Sequence, residues 1–174
     1  MMSEPSTDAS DFFAALLQDH ALIEERLKEL EQAAHAVGQV ESDTAALGIV
    51  AETLRFFANE GARHQASEEL TLFPRLRSLS DFKPILSAIE FQHQMNEAAE
   101  RELAACVERF APGRGRELRR LALRFVELNR AHAFAEERAM FPLAASVLPR
   151  EVLAEMSREM RERQRATSRT GERR

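Results

Sequence analysis

Two histidines in this chain open the same short pattern, His64-Gln-Ala-Ser-Glu68 and His132-Ala-Phe-Ala-Glu136. A spacing of four puts imidazole and carboxylate one above the other on a single helix face. Together they form a ligand pair for a cation of charge +2 or more. Two further histidines, His20 and His93, lie in segments of similar apolar periodicity. Cys106 is the only cysteine, so no thiolate cluster or internal disulfide can form, and any metal must be held by histidine and carboxylate. Cys106 itself is expected to be a packing residue.

The elements that would carry these groups can be read from caps, breaks and apolar stripes. Candidate helix starts fall at Ser10 or Asp11, at Ser42 or Asp43, and at Ser80 or Asp81 with Pro84 in the first turn. The break Pro112-Gly113-Arg114-Gly115 precedes the fourth. The spacing predicts helices over about 10–37, 43–78, 82–110 and 115–146, and a shorter fifth from Pro149 to about 164. Steps of three and four give the buried stripes. The first runs Phe13, Leu16, His20, Ile23, Leu27, Leu30, Ala34, and the second Val50, Leu54, Phe57, Gly61, His64, Glu68. The third runs Leu86, Ile89, His93, Asn96, Glu100, Leu103, Val107, and the fourth Leu118, Leu121, Phe125, Leu128, His132, then Ala135 or Glu136, and Leu143.

Each long helix therefore carries one histidine on its inner stripe. Short connections make successive helices antiparallel, so depth can be counted from the turns near 40, 80 and 112. The histidines on successive helices then differ by about four, three and one residues, or about 6, 4.5 and 1.5 Å. All four share one layer. The fifth, His35, falls off the stripe and is expected at the surface.

Four neutral imidazoles and two carboxylates in one apolar layer would lack partners at a cost of about 1 to 3 kcal/mol for each unpaired donor or acceptor, and more for a charge. A bound cation removes that cost. Imidazole with carboxylate suits iron, manganese or zinc rather than an all-oxygen calcium or magnesium cage. Six ligands exceed one tetrahedral zinc and suit two metals, with a position left open. A ferritin-like site would need two E-x-x-H segments, and only Glu90-Phe-Gln-His93 has that form.

The series H, H-x-x-x-E, H, H-x-x-x-E over four helices, with Phe73-Pro74 and Phe141-Pro142 after the paired motifs, resembles the hemerythrin-like HHE cation-binding family over about residues 10–146. The resemblance implies a four-helix bundle with a di-iron centre, Fe2+/Fe3+ and oxo- or hydroxo-bridged, that handles O2, NO, peroxide or iron itself. It implies ligand status for His20, His64, Glu68, His93 and His132. Classical oxygen-carrying hemerythrin has a histidine one turn after the third-helix ligand, where this chain has Glu97, and an aspartate five residues after the last histidine, where it has Glu137. Glu136 resembles the branch whose final motif is H-x-x-x-E and is taken as the sixth ligand, with Glu97 and Glu137 as alternates.

The rest of the sequence narrows the setting. The expected organisation is a disordered N-terminus at 1–9, an all-α, antiparallel up-down-up-down four-helix bundle at 10–146, a short C-terminal helix at 147–164 and a basic disordered tail at 165–174. Net charge is −5, which argues against nucleic-acid binding, although the last eighteen residues hold seven Arg against three Glu. No stretch reads as a membrane span or secretory signal, so a cytoplasmic location is expected. Val152, Leu153, Met156 and Met160 form a short apolar stripe that could cap the bundle or join a second chain or protein partner. Absence of Tyr and Trp excludes a tyrosyl radical. Phe, Leu, Ile and Ala beside the ligands suggest room for a diatomic ligand or peroxide, which favours a binding or sensing protein over a peroxidase-like or NO-handling redox enzyme.

Overall fold

The computed structural model describes residues 11–37, 44–111 and 113–171. Among these there is helix and no strand. Five continuous helical rods result: α1 (Asp11–Val37), α2 (44–76), α3 (Lys83–Glu108), α4 (115–147) and α5 (Arg150–Gly171). The four longest boundaries lie close to those expected. The fifth helix runs past the expected end near 164, so the basic tail is helical as far as Gly171. Residues 1–10, the cap candidates Ser42 and Asp43, Pro112, and residues 172–174 lie outside the described residues. At α3 the expected side-chain cap from Ser80 or Asp81 is not made. A 3-10 turn over Ser80–Phe82 leads into the helix instead, and Pro84 sits in the first turn.

Packing closes a ring in which α1 lies against α2 and α4, and α3 lies against α4 and α2; α5 lies against α1 and α2. At the α3–α4 corner Gly113 takes φ 89°, open to glycine at little cost. A Cβ on Gly115 would stand 2.8 Å from the Val37 carbonyl oxygen, so α4 approaches the end of α1 only through glycine.

Two apolar clusters fill the interior. Ile23, Leu27, Leu30, Val50, Phe57, Leu103, Leu118 and Phe125 belong to the first. Phe12, Leu16, Leu72, Phe73, Leu76, Leu86, Ile89, Met140 and Phe141 belong to the second, which Leu153, Met156 and Met160 of α5 complete. The α5 stripe is thus covered within the chain. The histidine layer lies between the clusters in sequence order on each of α1, α2, α3 and α4.

The rods α2 and α4 are not uniform α-helix. Five-residue π-turns cover Phe57–Gly61, Glu68–Leu72 and Glu136–Met140. The last two each end two residues before a proline, Pro74 or Pro142. A proline ring inside a helix collides with the carbonyl four residues back, and a widened turn relieves that contact. The extra residue also shifts the inner face. After Glu136 the buried positions are Met140, Phe141 and Ala144, while Leu143, expected on the stripe, is exposed. At the start of α1, Phe12 is the buried residue and Phe13 only partly so. Cys106 is buried and His35 exposed, as expected.

Candidate metal centre

Each π-turn nearest the site opens on a glutamate, so the widened backbone begins at Glu68 and at Glu136. Both carboxylates are fully buried, and His20, His64, His93 and His132 are between 4% and 7% exposed. The four histidines present Nε2 to the interior. His20 Nε2 lies 3.2 Å from Glu136 and 3.1 Å from His64 Nε2. His64 Nε2 lies 3.6 Å from Glu68, His93 Nε2 3.3 Å from Glu68, and His132 Nε2 3.1 Å from Glu136.

These atoms form two groups, each within 4.8 Å throughout: His20, His64, Glu68 and Glu136, then Glu68, His93, His132 and Glu136. Both glutamates belong to both groups. None of their four oxygens accepts a hydrogen bond. Two buried carboxylates facing imidazole nitrogens without a formed hydrogen bond fit bound cations, because unpaired buried charges each cost several kcal/mol.

The outward nitrogens are also met. Glu137 takes His20 Nδ1 at 2.9 Å, Glu69 takes His93 Nδ1 at 2.8 Å, and the Gln92 side-chain oxygen takes His132 Nδ1 at 3.3 Å. Asp19 stands 3.5 Å from His64 Nδ1, an ion-pair contact beyond hydrogen-bond length. An acceptor on Nδ1 fixes the proton there and leaves the Nε2 lone pair facing inward. Phe73 stacks on His93 at 23° and 5.7 Å, and Phe141 on His20 at 25° and 5.6 Å, so the phenylalanine after each of these two π-turns packs on a histidine of a neighbouring helix.

Sequence reasoning missed Asp19, Glu69 and Gln92 and treated Glu137 only as an alternate ligand. All four sit beside a candidate ligand in the chain: Asp19-His20, Glu68-Glu69, Gln92-His93, Glu136-Glu137. One helical step rotates a side chain by about 100°, from the bundle interior toward a neighbouring helix. That adjacency was the available signal. The other alternate, Glu97, stands outside the cage and accepts from Gln65 at 3.0 Å.

Without a cation the cage groups ionise unusually. Burial pushes the Glu68 carboxyl up to about 7, with the Glu136 charge adding to it. Burial would raise Glu136 too, but the His20 and His93 imidazoles facing it hold it below the ordinary range. Burial opposes charge on His93, yet the carboxylates around it, Glu136 and Glu68 first, raise it to about 10. Burial dominates at His132 and lowers it to about 4.

A cavity of about 390 Å³ reaches all four histidines from the side of α2 and α3. Its walls include Phe57, Gly61, Gln65, Asn96, Glu100 and Asn129. The surroundings are therefore roomier and more polar than the inner stripes implied.

The family model for the hemerythrin HHE cation binding domain matches residues 11–144. No curated protein and no solved structure matches the chain.

Proposed function

The chain belongs to the hemerythrin HHE cation-binding domain family, and on that premise we propose that it holds two iron ions and binds or senses O2, NO or iron at an open iron position. The ligands in this reading are His20 and His64 for one ion, His93 and His132 for the other, with Glu68 and Glu136 shared. One observation carries it: two fully buried glutamates, common to both clusters, have no hydrogen bond to any of their oxygens. In this reading the four long rods run as an up-down-up-down antiparallel bundle and the chain works in the cytoplasm. No described helix is long and apolar enough to cross a membrane.

Bound iron supplies one-electron redox change and an open coordination position for a small ligand. The protein's part is to hold four Nε2 lone pairs inward and to keep bulk water from the carboxylates. In this reading α5 carries the signal. Arg163 donates to Thr71 Oγ1 at 2.9 Å, within the π-turn that starts at Glu68, and Arg75, one turn on, pairs with Glu159 at 2.6 and 3.1 Å. Movement of Glu68 on cation binding would thus be felt along α5.

The cavity favours a second reading, a di-iron redox enzyme with peroxidase-like or NO-handling activity. Its volume lies within the range of small-molecule sites, and its walls carry polar side chains. Metal analysis with an optical spectrum of air-purified protein tests the common premise: about two irons per chain are expected, with charge-transfer bands clear of protein absorbance because Trp and Tyr are absent. Iron well below stoichiometry after loading would refute it. Peroxide turnover well above free iron selects the enzyme, and reversible spectral change without turnover selects the sensor.

A further inference from the structure

The outer partners of the histidines close a cycle. Asp19 on α1 faces His64 on α2, Glu69 on α2 faces His93 on α3, Gln92 on α3 faces His132 on α4, and Glu137 on α4 faces His20 on α1. A two-fold correspondence relates the halves. His20 matches His93, each bonded to the glutamate after a shared carboxylate and each stacked on a Phe-Pro phenylalanine. His64 matches His132, each set against the residue that precedes the ligand of another helix. In this correspondence the charge differs at one place: Asp19 is a carboxylate and Gln92 a neutral amide.

We propose that Gln92 makes the two cation positions unequal, so that the His20 and His64 position fills first and holds the more highly charged ion, while the His93 and His132 position is the weaker and more easily reduced. The inference rests on the two-metal reading above. A carboxylate behind a ligating imidazole raises its basicity, whereas an amide oxygen orients the ring and adds no charge. The first position has two carboxylates behind its histidines, and the second has one carboxylate and one amide. The tight partners, Glu137 at 2.9 Å and Glu69 at 2.8 Å, balance across the halves. What remains unbalanced is Asp19 against Gln92. Gln92 is a positioning residue hydrogen-bonded to the His132 imidazole, while Asp19, 3.5 Å from His64 Nδ1, adds its charge without a formed hydrogen bond.

The test is site-resolved occupancy. Full-length protein stripped of metal is crystallised with one equivalent of Co2+ per chain, and anomalous difference peaks are compared at the two positions. Wild type is expected to show at least about tenfold more cobalt at the His20 and His64 position. Gln92→Glu should bring the two peaks within about twofold. The double variant Asp19→Asn with Gln92→Glu should reverse the preference, a result that loss of packing alone would not produce. Equal peaks in wild type, or a preference that Gln92→Glu leaves unchanged, overturn the inference while leaving the two-metal reading standing. Cobalt at neither position in wild type overturns both. Should the double variant fail to fold, Gln92→Glu alone decides.

Discussion

Glu137 directly follows Glu136 in the chain yet meets His20 on the opposite ring nitrogen, its Oε1 2.9 Å from Nδ1 while Glu136 lies 3.2 Å from Nε2. The two glutamates bracket one imidazole, and their substitutions should separate cleanly. Glu136→Gln removes a charge shared by both clusters, and the loaded chain is expected to hold about one iron or fewer. Glu137→Gln keeps every inward atom and should retain two irons with affinity weakened roughly 10- to 100-fold. Iron quantification and competition with a chelator distinguish them. The opposite ranking would make Glu137 the ligand.

Cation uptake should release protons. His93 is raised to about 10 in the absence of a cation, so at pH 7 it carries a proton on a ring whose Nε2 must be bare to ligate. Glu68, raised to about 7, is partly protonated at the same pH. Zn2+ added to metal-free protein at pH 7 is expected to release on the order of one proton or more per chain, read in a pH-stat, and affinity should rise with pH. Because the folded value of His93 lies above its ordinary value, its contribution to metal-free stability is full below about 6.5 and is lost as pH rises through about 10. Thermal melts of the metal-free chain should therefore weaken in the alkaline range more than those of the loaded chain.

Helix positions, the single histidine on each inner stripe and the paired H-x-x-x-E motifs were all legible in the sequence, because apolar periodicity and four-residue spacing are local signals. The π-turns were not. Stepping from His132 by three and four predicts Leu143 inward, and only a turn with one added residue puts Ala144 there instead. Outer partners such as Gln92 and Glu69 were hidden for a different reason. Their role depends on which helix lies beside which, and that is settled by packing rather than by any one segment.

Gly61 stands on the cavity wall, and a Cβ there would meet Phe57 Cδ1 at 3.0 Å. Gly61→Ala should narrow the cavity by displacing the ring. If the enzyme reading holds, consumption of an organic hydroperoxide should fall about tenfold while that of hydrogen peroxide changes little. Equal effects on both would mean that the cavity plays no part in selecting the ligand.

The contacts from Arg163 to Thr71 and from Arg75 to Glu159 join α5 to the π-turn that Glu68 begins. Metal removal is expected to speed tryptic cleavage within Arg150–Gly171 several-fold relative to cleavage in α3, with local opening as the cause. Peptide mapping over time measures the ratio. No change in the ratio would detach α5 from the site.

The central claim, that two cations share Glu68 and Glu136, is tested most directly by X-ray absorption at the iron edge of the loaded full-length chain. The account predicts a metal–metal distance of about 3 to 4 Å, present in wild type and lost in Glu136→Gln. A nitrogen and oxygen shell with no second metal would contradict it.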